Sequence, residues 1–263
     1  MTADLYLQLG MAALLAGLVD AVVGGGGLVQ VPMLFSALPQ TLPATLFGTN
    51  KLASLCGTAF AARAYWRRFP VDWGLVLPAS LAALLFAFLG AWALTLFPPE
   101  IFRRLLPLIL LLVAIYVFRR KTFGTAYAPT RQGRAKWWAA AGVGTVLGFY
   151  DGFFGPGTGS FLIFLFIRGF GLDFLRASAS AKIVNLACNA AALAWFIPTH
   201  PPLWTLALVM AVCNVAGSVI GARLAIREGA GFVRKVFLGV VLVLIAKTGW
   251  DAYGPLLMFH VKQ

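Results

Sequence analysis

Gly148-Phe-Tyr-Asp151-Gly-Phe-Phe-Gly155-Pro-Gly-Thr-Gly-Ser160 interrupts an apolar stretch that otherwise runs from residue 137 to 167. One membrane crossing takes about 20 apolar residues, so the stretch is too long to cross once. The arms on either side of the break, 137–150 and 160–167, each read as too short to cross. The sequence therefore predicts a re-entrant hairpin that enters and leaves on one side of a membrane. Irregular backbone survives at that depth only where protein buries it or where it lines a wet cavity.

The same frame occurs 131 residues earlier. Gly17-Leu-Val-Asp20-Ala-Val-Val-Gly24-Gly-Gly-Gly27 breaks the apolar stretch 5–38. A gapless shift of 131 superposes Gly17 on Gly148, Asp20 on Asp151, Gly24 on Gly155, Gly26 on Gly157 and Lys51 on Lys182. It also superposes Trp73 on Trp204, Gly90 on Gly221, Arg103 on Arg234 and Arg104 on Lys235. The chain holds only 8 acidic residues, so two of them inside matched glycine frames point to a duplication.

Six further apolar stretches, 43–64, 73–97, 101–118, 172–197, 203–222 and 233–250, each fit one crossing helix. Across the 263 residues, 61% are hydrophobic and 11% charged; soluble domains have about 45–50% and about 25%. That excludes a water-soluble enzyme. The net charge of +13 would suggest a nucleic-acid surface on a soluble protein, but here the bases lie between apolar runs. The expected partner is the lipid bilayer, with no nucleic acid.

If all eight stretches cross once, the Lys and Arg of the connecting segments and tails divide 10 to 8 between the two sides. If the two broken stretches are hairpins, they divide 15 to 3, with only Arg103, Arg104 and Lys262 on the minority side. The positive-inside rule selects the second arrangement, with both termini periplasmic. Three crossings plus a hairpin per half make an odd number of crossings, which turns the second half upside down. The expected fold is an all-α polytopic membrane protein of two inverted repeats. Each has a glycine-broken re-entrant or discontinuous helix and three transmembrane helices; the first repeat covers 1–118, a basic cytoplasmic loop 119–136, and the second repeat 137–263. Inverted repeats with broken helices at the midplane are the architecture of secondary transporters.

Each glycine run precedes an apolar half-helix whose first N–H groups lack intrahelical partners and carry partial positive charge. Gly24, Gly25, Gly26 and Gly27 in one run, and Gly155 and Gly157 in the other, are thus candidate anion ligands through the main chain. Equally, glycines there can serve only the sharp turn and close packing. Thr158 and Ser160 add hydroxyls at the second tip.

Lys51 and Lys182 fall well inside predicted crossings, where a cation costs roughly 2.5–3.5 kcal/mol on insertion scales. Either they hold a substrate's negative charge, or each forms an ion pair with Asp20 or Asp151, thirty-one residues upstream in its half. The two aspartates themselves either brace the glycine turn or carry a coupling proton. Asn50, Asn185 and Asn189 on the same helices are candidate donors to substrate oxygens, or hydrogen-bond between helices. The cysteines Cys56, Cys188 and Cys213 lie in apolar stretches with no C-x-x-C spacing, and His200 and His260 have no metal partner nearby, so neither metal nor cofactor is expected. No catalytic triad, paired-carboxylate or P-loop spacing occurs, which argues against an enzyme. Trp66, Trp73, Trp137, Trp138, Trp204 and Trp250 near segment ends read as interfacial anchors.

With Val31-Pro32, Gly48-Thr-Asn-Lys51 and Ala181-Lys182 added to the two glycine frames, the sequence resembles the TauE/SafE family, in particular its YfcA-like branch. The resemblance covers nearly the whole chain. It implies a multi-pass permease of the bacterial inner membrane, in a family linked to sulfite export and to movement of sulfoacetate and related anions. The expected function is a secondary transporter that moves a small anion, a sulfur oxyanion or organosulfonate, by alternating access. A passive anion channel, or a transporter of a non-sulfur organic anion, is the alternative. A homo-oligomer is compatible with the sequence.

Overall fold

The structure is a computed structural model, and it describes residues 2–98, 127, 130 and 133–229. The predicted crossings 101–118 and 233–250, most of the loop 119–136 and the C-terminal tail lie outside the described residues. Among the described residues there are eight helices and no strand. They are α1 (Ala3–Val23), α2 (Gly27–Ala37), α3 (Pro43–Trp66), α4 (Trp73–Thr95), α5 (Gly133–Phe153), α6 (Thr158–Phe170), α7 (Phe174–Thr199) and α8 (Trp204–Gly229). The helix starts Gly27 and Thr158, Pro43 and Phe174, and Trp73 and Trp204 each differ by 131. The offset of 131 found in the sequence thus recurs in the starts of three pairs of helices.

Local chemistry sets these limits. Gly24, at φ +78°, caps α1 in the left-handed region with its N–H on the Asp20 carbonyl, a conformation that costs glycine nothing. Pro43 opens α3 at a position where its missing N–H is not needed. Asp173 caps α7 by accepting the Arg176 N–H at 2.9 Å. Trp66, Trp73, Trp137, Trp138 and Trp204 stand exposed near helix ends, as anchors would.

One expectation needs correction. The arm before the second break is not short: α5 has 21 residues, about 31 Å at 1.5 Å per residue. Hydropathy missed both ends, because the helix takes in Gly133 to Lys136 and continues past Tyr150 to Phe153. The arms α2 and α6, of 11 and 13 residues, remain too short to cross. Although α1 is long enough to cross, its C-terminal end stops in the interior. Asp20 meets Lys182, the ninth residue of the 26-residue α7 counted from Phe174. A Cβ on Gly26 would lie 2.6 Å from the Ala16 carbonyl oxygen, so the chain folds back along α1 at the break.

The helices pack across the repeat boundary. Gly144, Gly148 and Gly152 of α5 form a stripe against Ala79, Ala83 and Ala87 of α4, where an added Cβ would overlap backbone atoms. Such small-residue seams let membrane helices approach closely. The equivalent seam joins α1 to α8: Gly17 abuts Asn214, and Gly217 and Gly221 abut Leu14 and Leu18. Two apolar cores result. One is built mainly from α1, α2, α3 and α8, the other from α4, α5, α6 and α7. Each repeat has therefore placed its fourth described helix in the core of the other.

Candidate anion site between the two helix breaks

The two glycine breaks touch. The Gly24 carbonyl accepts the Ser160 N–H at 3.1 Å, and the Ser160 hydroxyl donates to the Val23 carbonyl at 2.7 Å. A Cβ on Gly24 would overlap Gly159, and one on Gly27 would lie 3.1 Å from Pro156 Cα. Close approach of two backbones is what the glycines provide here.

Both lysines are buried, and both are paired crosswise between the repeats. Lys51 of α3 donates to Asp151 at the end of α5, with side chains 3% and 2% exposed. Lys182 of α7 donates to Asp20 of α1 at 3.0 Å, with side chains 2% and 15% exposed, and also to the Asp20 main-chain carbonyl. The sequence spacing suggested pairs within each repeat; the structure exchanges them. The exchange follows from the fold, since the C-terminal end of each long arm reaches the central helix of the opposite repeat. A lysine there also offsets the negative end of the arm's macrodipole.

The pairs differ in their surroundings. Asp20 also receives the Thr58 hydroxyl at 3.3 Å and the Gly26 N–H at 3.5 Å. Among the described residues, Asp151 is the only hydrogen-bond partner of Lys51. Gly155 lies directly against that lysine, with a Cβ there 3.2 Å from Nζ.

The remaining predicted residues divide into engaged and open groups. The Thr158 hydroxyl closes the turn on the Gly155 carbonyl at 2.8 Å, so it is not a free donor here, nor is Ser160. Asn189 donates to Asn185 at 3.1 Å one turn back along α7, a bond within the helix rather than between helices. The Asn50 amide oxygen is buried without a partner among the described residues. The N–H groups of Gly25, Gly27, Gly157 and Gly159 likewise have no protein acceptor among the described residues. They are the main-chain donors left for an anion.

Sequence reading missed a buried polar chain. Asn214 donates to Gln30 at 2.9 Å, and Ser218 donates to Asn214 and to the Gly17 carbonyl. The positions 131 residues away are Phe161, Ala83 and Ala87, so this chain exists in one core only. The isolated amides at 30 and 214 inside apolar stretches were its only signal. A cavity of about 230 Å³ beside Arg176 and Ser180 lies elsewhere. Ser180 and Lys182 are two residues, or about 200°, apart around α7, so the cavity and the ion pair occupy different sides of that helix.

Four of the helices, α1, α4, α7 and α8, are long and apolar enough to cross a membrane. With the two paired breaks, they define a multi-pass membrane protein. The chain belongs to the TauE/SafE family: the family described as "Sulfite exporter TauE/SafE" matches residues 9–248. It is 32% identical over 247 residues to "Probable membrane transporter protein ORF9" of Sinorhizobium sp, covering 94% of this chain and 93% of that protein. It is also 32% identical over 246 residues to "Probable membrane transporter protein YfcA" of Escherichia coli strain K12, covering 92% and 88%. A "Probable membrane transporter protein" of Haemophilus influenzae is 29% identical over 249 residues. No solved structure matches. Its family makes the chain a membrane transporter.

Proposed function

We propose that the protein is a secondary transporter of the bacterial inner membrane for a small anion, a sulfur oxyanion or organosulfonate. The observation that carries this reading is the meeting of two glycine breaks between two buried lysines. Open N–H groups and two ammonium groups supply what an anion needs in place of water. The family's description points to sulfite chemistry, while the names of the relatives give no substrate. Alternating access then moves the two apolar cores against each other, and these are not the sequence halves.

Flux into proteoliposomes, screened over sulfite, sulfate, thiosulfate, sulfoacetate, taurine and lactate, tests the reading. Saturable uptake with trans-stimulation by at least one of the anions is expected. Non-saturable flux without trans-stimulation identifies a passive channel instead. Lys182→Ala should lower anion affinity at least tenfold while most of the protein still inserts.

The inverted arrangement of the repeats is part of the same proposal. Both termini and the turn 198–202 face the periplasm, and the loop 119–136 faces the cytoplasm. Single-cysteine labelling in a background lacking Cys56, Cys188 and Cys213 should report that pattern. Opposite labelling of the two termini would defeat it.

A further inference from the structure

We propose that Asp20 is a proton-binding site and that one proton enters with each anion, an inference that rests on the anion reading of this centre. The argument is charge balance in a buried space. Among the described residues the centre holds Lys51, Lys182, Asp20 and Asp151, two positive and two negative groups, so its net charge is zero. A monovalent anion added there leaves an uncompensated negative charge, which burial penalises heavily. Protonating one carboxylate restores neutrality: the proton bonds to a carboxylate oxygen, and the lysine released from that pair faces the anion.

The structure distinguishes which carboxylate this is. Asp151 is 2% exposed and, among the described residues, is the sole partner of Lys51, so neutralising it would leave that ammonium with no protein acceptor. Asp20 is 15% exposed, against 2% for Asp151. Its neutralisation leaves Lys182 still bonded to the Asp20 main-chain carbonyl. Among the described residues, the groups facing Asp20 are Lys182 from α7, the Thr58 hydroxyl from α3 and the Gly26 N–H of the break. Tyr65 of α3 donates to the adjacent Ala21 carbonyl. From α8, the groups against this part of α1 are the neutral Asn214 and Ser218. The asymmetry of the two pairs therefore divides the work: Lys51–Asp151 stays closed and Asp20 takes the proton that enters with the anion.

The sign of the pH dependence follows from linkage. Binding takes up a proton, so affinity is highest at low pH and falls as pH rises, by up to about tenfold per unit for one proton. Calorimetry on the purified full chain, in buffers of different ionisation enthalpy, counts the protons. The probes are lactate, which is monovalent and meets the charge balance directly, and sulfate, thiosulfate and sulfoacetate, which are divalent and keep one charge for the open N–H groups after the single proton is bound; none of them titrates near pH 7. About one proton per bound anion is expected for the wild type. For Asp20→Asn the expectation is binding without uptake and a flat profile from pH 5.5 to 8.

Thr58→Val removes a hydroxyl that donates to Asp20, so it should change the pH profile of binding. It decides the matter if Asp20→Asn does not fold, since an unchanged profile overturns the proposal. Anion binding with no proton uptake, or uptake that survives Asp20→Asn, also overturns it and leaves the anion reading standing. Failure of all four probes to bind the wild type defeats the anion reading itself, and the coupling with it.

Discussion

Lys51→Ala should destabilise the protein far more than Lys182→Ala. The first change strands Asp151, a carboxylate only 2% exposed whose ammonium partner is gone. Breaking a buried pair in this way costs about 3–5 kcal/mol. The second strands Asp20, which keeps the Thr58 hydroxyl, the Gly26 N–H and some exposure. The measurement is the midpoint of thermal aggregation in detergent, alongside the yield of inserted protein. Removing both members together, as in Lys51→Met with Asp151→Leu, should recover most of the loss, because an apolar pair of similar volume carries no desolvation penalty. Equal destabilisation by the two single lysine variants would contradict the asymmetry of the pairs.

Gly24→Val should prevent the two breaks from meeting. Gly24 has φ +78°, and a Cβ there would overlap the Gly159 backbone. The left-handed conformation alone costs an L-residue about 1–2 kcal/mol, and the overlap adds a displacement of the second break. Gly26→Val is expected to fail in the same way, since its Cβ would lie 2.7 Å from Asp20 Cβ. Thr158→Val removes only the hydroxyl that closes the turn on Gly155, so its effect should be much smaller. Anion binding by the purified variants provides the comparison, with insertion checked first. Wild-type affinity in Gly24→Val would place the anion away from the tips.

Much of this organisation was legible in the residues. The glycine frames and the gapless offset gave the broken helices and the duplication, because a backbone break and a buried charge leave few alternatives inside an apolar run. The lysines and aspartates stood out for the same reason, each being costly at its depth. Their pairing was not legible. A separation of thirty-one residues within each repeat looks like a contact, whereas the actual partners are 100 and 162 residues apart. Which pair closes depends on where each long arm ends relative to the opposite central helix, and hydropathy placed the end of α5 three residues early. Gln30 and Asn214 carry no repeat signal, since the positions 131 residues away are the apolar Phe161 and Ala83.

The exchange of α4 and α8 between the cores also orders the chain's biosynthesis. When the first repeat has left the ribosome, α4 has no α5 to meet its alanine stripe, and Asp20 has not met Lys182. Its partner Lys182 is still 162 residues away in the chain. Synthesis of α5 supplies the first seam. The second waits for α8, which brings Asn214 to Gly17 and closes the core that α1 began. The first helix made is thus among the last to be enclosed, and a nascent chain must hold an incomplete helix face and a carboxylate without its final partner until the second repeat arrives.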